Sequence, residues 1–238
     1  MKINKNFLVE CIQACINSYE GKHGKVVPMF DKWNKRDIFN VEFYFAEKDG
    51  VGWIIFRGTD EWKDWIQNFD ANGYDVVEGQ IHQGTKEDND KAQPNCEHFI
   101  ENYETIVIVG HSKGANQTGV LYYHLKKKYP DKKFIPVMVA PAKISSNHKQ
   151  MREVFKDVIT IINGEDFVTK QPFWKWSHKG KIIRIGKQNV FWKIPVIRLL
   201  GTVIHVGEKV EFKPRKDHYP QEYMKNMLAY KKAICFES

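Results

Sequence analysis

A short apolar run, Ile106-Val107-Ile108-Val109, leads directly into Gly110-His111-Ser112-Lys113-Gly114, and Ala115 to Lys128 follows with Val120, Leu121 and Leu125 at helical spacing. The run has the length and β-branched composition of a buried strand, so the order is strand, G-x-S-x-G, helix. In that order the five-residue pattern reads as a nucleophile elbow. A sharp strand-to-helix turn lifts the serine above the sheet, and side chains at the two flanking glycine positions would collide with it. The start of the helix aims backbone N–H groups at any anion that forms beside Ser112.

The rest of the chain supplies a setting for such a turn. Residues 4–20 read as an amphipathic helix, and Glu20 to Arg36 as a polar loop. Val41–Glu47 and Val51–Arg57 read as two strands joined by Lys48-Asp49-Gly50, a hairpin turn sequence. Asp60–Asp70 reads as a helix, Gly73–Gln83 as irregular or a strand, and Lys86–Tyr103 as a polar helix broken or kinked at Pro94. Lys133–Ala140 is a strand, Ile144–Phe155 a helix and Val158–Ile162 a strand. Ile182–Ile185 and Val203–Phe212 are further strands, and Tyr219–Ile234 is a closing helix. Strands alternating with helices call for a mostly parallel sheet covered by helices. With 238 residues, no internal repeat and no low-complexity linker, the expectation is one α/β domain over 1–238.

Several classes are set aside. The four cysteines (Cys11, Cys15, Cys96, Cys235) show neither a disulfide framework nor metal-ligand spacing, and Cys11 and Cys15 share a helix face that reads as core. The first twenty residues have helical periodicity rather than an unbroken apolar region, so they do not read as a signal peptide, and no segment reads as a transmembrane helix. The expectation is a cytoplasmic protein. The net charge of +8 favours anionic partners, and an anionic membrane surface is the one expected, as a peripheral contact. The lysines are spread along the chain, which fits plain solvation equally, and no nucleic-acid partner is expected. Between residues 171 and 201, Phe173, Trp174, Trp176, Phe191 and Trp192 lie among lysines. That composition suits a lid or lipid contact, or a buried insertion.

A serine hydroxyl needs a base to take its proton, and the base needs an acid to fix its tautomer. In a fold with this elbow they follow in the order serine, acid, histidine. Asp166, just past the Val158–Ile162 strand, is the candidate acid, with Glu165 beside it as the fallback. Among His178, His205 and His218, the last sits in a polar loop directly before the final helix and is the candidate base; the other two remain rivals. His111, next to the nucleophile in sequence, is expected to pack or hydrogen-bond beneath the turn. An oxyanion hole is expected from the N–H of Lys113 and from Thr59, reached through Phe56-Arg57-Gly58.

These motifs together resemble the class 3 (fungal-type) lipases and related bacterial serine hydrolases of the α/β-hydrolase superfamily. The segments that carry the likeness are Ile54-Ile55-Phe56-Arg57-Gly58-Thr59 with Asp64-Trp65 and Asp70, then Ile81-His82-Gln83-Gly84, then the elbow from Ile108 to Asn116. Asn163-Gly164-Glu165-Asp166-Phe167-Val168 with Pro172 resembles the family's acid loop, and His218-Tyr219 with Tyr223 its terminal His-Tyr region. Lys113 departs from the apolar residue usual in that family. The resemblance implies an α/β-hydrolase fold and a cofactor-independent serine esterase acting on lipid esters such as acylglycerols, lysophospholipids or phospholipids. The catalytic set would be Ser112, Asp166 and His218, and the oxyanion donors Thr59 and Lys113. The same residues would also suit a thioesterase or acyltransferase, or an idle hydrolase fold that binds lipid or protein.

Overall fold

The structure is a computed structural model, and it describes residues 2–39, 41–59, 72–164, 166–172, 175–186 and 217–237. In chain order the elements are β1 (Lys2–Asn4), α1 (Lys5–Ser18), β2 (Lys32–Ile38), β3 (Val41–Lys48), β4 (Val51–Phe56), β5 (Gly73–Val76), β6 (Gly79–His82), α2 (Gln83–Ile100) and β7 (Thr105–His111). They continue with α3 (Lys113–Lys128), β8 (Lys133–Val139), β9 (Ser145–Ser146), α4 (Lys149–Val154), β10 (Ile159–Asn163), a 3-10 turn (Val168–Lys170), β11 (Trp176–Ser177), β12 (Lys181–Ile185), α5 (Pro220–Ala229) and β13 (Cys235–Glu237).

A seven-stranded sheet in the order β12-β10-β8-β7-β4-β3-β2 organises the molecule, and it is parallel from β12 through β4. Strand β7 lies at its centre, and its residues alternate between faces as a pleated strand must. Ile106 and Ile108 pack with Val120, Leu121 and Leu125 of α3 and with Cys96 and Ile100 of α2. Val107 and Val109 face the other way, onto Leu8, Cys11, Ile12 and Cys15 of α1 and Tyr223 and Met227 of α5. The two-sided burial explains why β7 and β8 read as continuous apolar runs. This is the α/β-hydrolase arrangement, with helices on both faces and the elbow after the central strand.

The β3–β4 hairpin turns through Asp49 and Gly50, both at positive φ (52° and 73°), the conformation that matches strand twist in a two-residue loop. Elsewhere the local reading needs correction. Strand β2 occupies the end of the expected polar loop. It pairs antiparallel with β3 along its whole length but buries little, and its charged sequence hides it. Trp33, stacked on Tyr44 at 4.6 Å, is its anchor. Helix α2 continues through Pro94: both Pro94 and Asp90, whose carbonyl loses its helical donor, are exposed, so water can serve the carbonyl. The expected helix over Ile144–Phe155 is only α4; before it, Ser145 and Ser146 join a second, four-stranded sheet ordered β11-β9-β6-β5. The closing helix ends at Ala229, where the Lys5 ammonium donates to the carbonyls of Leu228 (2.6 Å) and Tyr230 (2.9 Å), and β13 then pairs with β1.

The helix expected at Asp60–Asp70 and the strand expected at Val203–Phe212 lie outside the described residues. Within the expected insertion at 171–201, residues 175–186 contribute β11 and β12; 173, 174 and 187–201 are outside the described residues. Among the described residues, no helix is long and apolar enough to cross a membrane.

Candidate active site

Strand β7 ends at His111, and the chain reverses at Ser112 into α3. Ser112 has φ 56° and ψ −122°, a left-handed conformation that costs a residue with a side chain about 1–3 kcal/mol. Its N–H still bonds to the Val139 carbonyl at 2.9 Å, and its own carbonyl accepts from the Ala115 N–H at 3.0 Å, so neighbouring elements hold the strained turn. A Cβ on Gly114 would stand 2.4 Å from the Phe56 carbonyl oxygen and 2.7 Å from that of Arg57. One on Gly110 would stand 2.3 Å from the Gly114 carbonyl oxygen. The pattern needs glycine at both places because backbone passes backbone there.

His218, one residue before the cap of α5, points its Nε2 at Ser112 Oγ, 2.8 Å away. Its Nδ1 lies 3.0 Å and 2.9 Å from the two carboxylate oxygens of Asp166. Asp166 is fully buried past the end of β10, and its carboxylate also accepts from the Tyr223 hydroxyl (2.7 Å) and the Val168 N–H (3.0 Å). A carboxylate can only accept, so Nδ1 of His218 carries the proton and Nε2 is free to receive one from Ser112. The line Ser112–His218–Asp166 can thus take a proton from a nucleophile and return it to a leaving group.

The segments that carry the two expected oxyanion donors, Thr59 and Lys113, meet at the elbow. Lys113 is the first residue of α3, where the N–H has no helical carbonyl to bond. Its ammonium is drawn to Asp88 of α2, 2.8 Å away. Gly58 brings the loop after β4 against the elbow: a Cβ there would stand 3.1 Å from Ser112 Cβ and 2.6 Å from the His111 carbonyl oxygen. Thr59 follows it.

His178, a rival for the base, bonds away from Ser112. It donates from Nε2 to the Thr169 carbonyl at 2.6 Å; His205 and Glu165 lie outside the described residues. The Tyr223 hydroxyl on Asp166 is a contact that the sequence did not point to; the resemblance placed Tyr223 only in the family's terminal His-Tyr region. Among the described residues, no group of His, Cys, Asp and Glu side chains is placed to hold a metal ion.

Burial holds His111 well below the ordinary imidazole range, with the nearby His218 ring a second cause, and it lowers His124 and brings His178 down to about 4. These pKa values are depressed relative to an unfolded value of about 6.5. Below that pH the unfolded chain binds more protons than the folded one, so the stability of the neutral-imidazole state is complete above about pH 6.5 and drains as pH falls. The thermal midpoint should decline steadily on acidification from about pH 7 to about pH 4.5, and His178→Gln should flatten the decline. A flat midpoint for the wild type over that range would show that these groups do not stay neutral on folding.

The sequence from 53 to 176, just over half of the chain and including Ser112 and Asp166, matches the family model described as Lipase (class 3). The chain belongs to the class 3 lipase family. As a member of it, the protein is a serine carboxylic-ester hydrolase. The fold is similar to that of the Rhizomucor miehei lipase in its propeptide complex, at TM-score 0.64 and 15% identity over 78% of this chain and 70% of that one. It is also similar to Lip2 lipase from Yarrowia lipolytica, at TM-score 0.60 and 16% identity over 76% and 78%. A further similar structure is a triacylglycerol lipase whose catalytic centre is a serine protease triad, at TM-score 0.63 and 14% identity over 78% and 83%. Compared by sequence, no curated protein matches the chain.

Proposed function

We propose that this class 3 lipase cleaves carboxylic esters of lipids with Ser112 as nucleophile, His218 as general base and acid, and Asp166 as the group that orients His218. The observation that carries the assignment is the 2.8 Å contact from His218 Nε2 to Ser112 Oγ, with Nδ1 on a buried carboxylate. The Ser112 proton passes to Nε2 as Oγ bonds to the acyl carbon. The carbonyl oxygen becomes an oxyanion, facing the Lys113 N–H and Thr59 at the positive end of α3. Collapse breaks the ester C–O bond, and His218 returns the proton to the departing alcohol. Water, deprotonated by the same nitrogen, then attacks the acyl-serine, releases the fatty acid and restores Oγ–H. The net charge of +8 supports docking on an anionic lipid surface, which would bring ester to the site.

The test pairs a fluorophosphonate probe with p-nitrophenyl esters of increasing acyl length. The expected result is one labelled serine, and turnover that rises from short to medium chains. Vesicle co-sedimentation should grow with anionic lipid content and weaken with salt. A protein that neither labels nor turns over, with or without anionic micelles, would put an idle binding fold in place of the enzyme. Sedimentation indifferent to lipid charge and salt would remove the membrane contact.

A further inference from the structure

His218 reaches both Ser112 and Asp166 only if its main chain is held in register with two different strands. Two buried side chains hold it, and each comes from the strand that carries one of those partners. From the nucleophile's side, Nε2 of His111 lies 2.8 Å from the carbonyl oxygen of His218. A carbonyl only accepts, so Nε2 carries the proton, and Nδ1 is the acceptor for the Tyr19 hydroxyl at 2.8 Å. His111 and Tyr19 are each 2% exposed. From the acid's side, Asn163, the last residue of β10, donates from Nδ2 to the carbonyl of Asp217 at 2.9 Å. Its Oδ1 accepts from Asn226 Nδ2 at 2.8 Å, which fixes the orientation of the amide. The carbonyls of two successive residues, 217 and 218, are therefore tied to β10 and β7 respectively.

We propose that His111 and Asn163 are positioning residues that form a two-point main-chain clamp on the base. The inference rests on the assignment of His218 as that base. The clamp acts on carbonyl oxygens, so both imidazole nitrogens stay available for Ser112 and Asp166. It also keeps a neutral ring beside the base: the His111 and His218 centroids are 5.1 Å apart, where a second imidazolium would oppose the charge His218 must acquire. Removing either donor takes a hydrogen bond from a main-chain acceptor inside the fold, and the loop shifts to replace it. A shift of about 1 Å at a catalytic group is enough to cost about a hundredfold in rate.

The experiment measures kcat, KM, fluorophosphonate labelling rate and thermal midpoint for His111→Phe, His111→Gln, Tyr19→Phe and Asn163→Ala, with Ser112→Ala and His218→Ala as references. His111→Phe keeps the ring volume but removes the donor. It should lower kcat and the labelling rate together by about 10–100-fold while KM stays within about twofold. His111→Gln places an amide nitrogen where Nε2 stood and should recover most of the loss. Tyr19→Phe and Asn163→Ala should lower kcat several-fold, again without moving KM. Wild-type kcat in His111→Phe, or equal impairment in the Phe and Gln variants, overturns the clamp. If His111→Phe does not fold, Tyr19→Phe decides, because it removes one hydroxyl and leaves the ring in place; an unchanged kcat there overturns the clamp. Wild-type turnover in Ser112→Ala and His218→Ala would instead strike the triad assignment, a result separate from failure of the clamp.

Discussion

Ser112→Ala should abolish ester turnover, with a fall in kcat of about a millionfold, and should leave the protein folded. Oγ is the atom that bonds to the acyl carbon in the proposed mechanism, and it is the hydroxyl that His218 Nε2 contacts. Oxyanion donors and substrate binding would account for any residual rate above water. The stability effect separates into two parts. Alanine loses the 2.8 Å contact to His218, worth about 1 kcal/mol, and keeps the positive φ of 56°. Ser112→Gly loses the same contact but adopts that φ without a steric penalty, so its thermal midpoint should exceed that of Ser112→Ala. Full activity in the alanine variant would place the nucleophile elsewhere. A glycine variant no more stable than the alanine one would mean that the elbow holds no strain.

Asp166→Asn should lower kcat by about ten-thousandfold with little change in KM or in the fold. The amide has the shape of the carboxylate but carries two hydrogens where the carboxylate had none. One end must still accept from Val168 N–H, as Asp166 Oδ1 does at 3.0 Å. The amide nitrogen then falls where Oδ2 stands, 2.7 Å from the Tyr223 hydroxyl and 2.9 Å from His218 Nδ1. The hydroxyl can turn and accept. His218 can satisfy the new donor only by moving its own proton to Nε2, which then points N–H rather than a lone pair at Ser112. Proton and nitrogen NMR of the imidazole would read the exchanged tautomer directly. An Asp166→Asn protein with an unchanged tautomer and near wild-type kcat would show that Asp166 does not orient the base.

The features legible in the sequence were those whose causes are local. The elbow declares itself because strand, turn and helix are consecutive, and the glycines are dictated by backbone contacts that only glycine allows. Asp49-Gly50 marks its hairpin because both positions need positive φ. The alternation of Ile106 to Val109 cannot be heard as period two, since both faces are apolar, yet its length and β-branching still mark a strand. Strand β2 stayed hidden because pairing at a sheet edge requires backbone and only one anchoring ring, so its charges carry no pattern. Ser145 and Ser146 broke the expected helix because their pairing partners, Ile81 among them, lie far away in the chain. At the site, chain order pointed to Ser112, Asp166 and His218, and the structure brings these three within hydrogen-bond distance. Tyr19 gave no such signal, and Asn163 entered only as the first residue of the segment that resembles the acid loop, with no partner attached to it. Tyr19 lies among polar residues and Asn163 at the end of an apolar strand, and the partner of each is identified only by folding.

Strand β2 has a consequence for the behaviour of the protein in concentrated solution. It ends the seven-strand order, so one row of its backbone groups has no sheet partner among the described residues. A strand edge of that kind invites a second molecule to extend the sheet. Lys32, Lys35 and Arg36 stand exposed along it, Lys32 paired with Glu47 and Lys35 with Glu20 and Glu42, and a copy docking there would have to strip water from these charged side chains. The charges that disguised this strand in the sequence are thus a barrier to edge-to-edge association, at an edge that no other strand among the described residues covers.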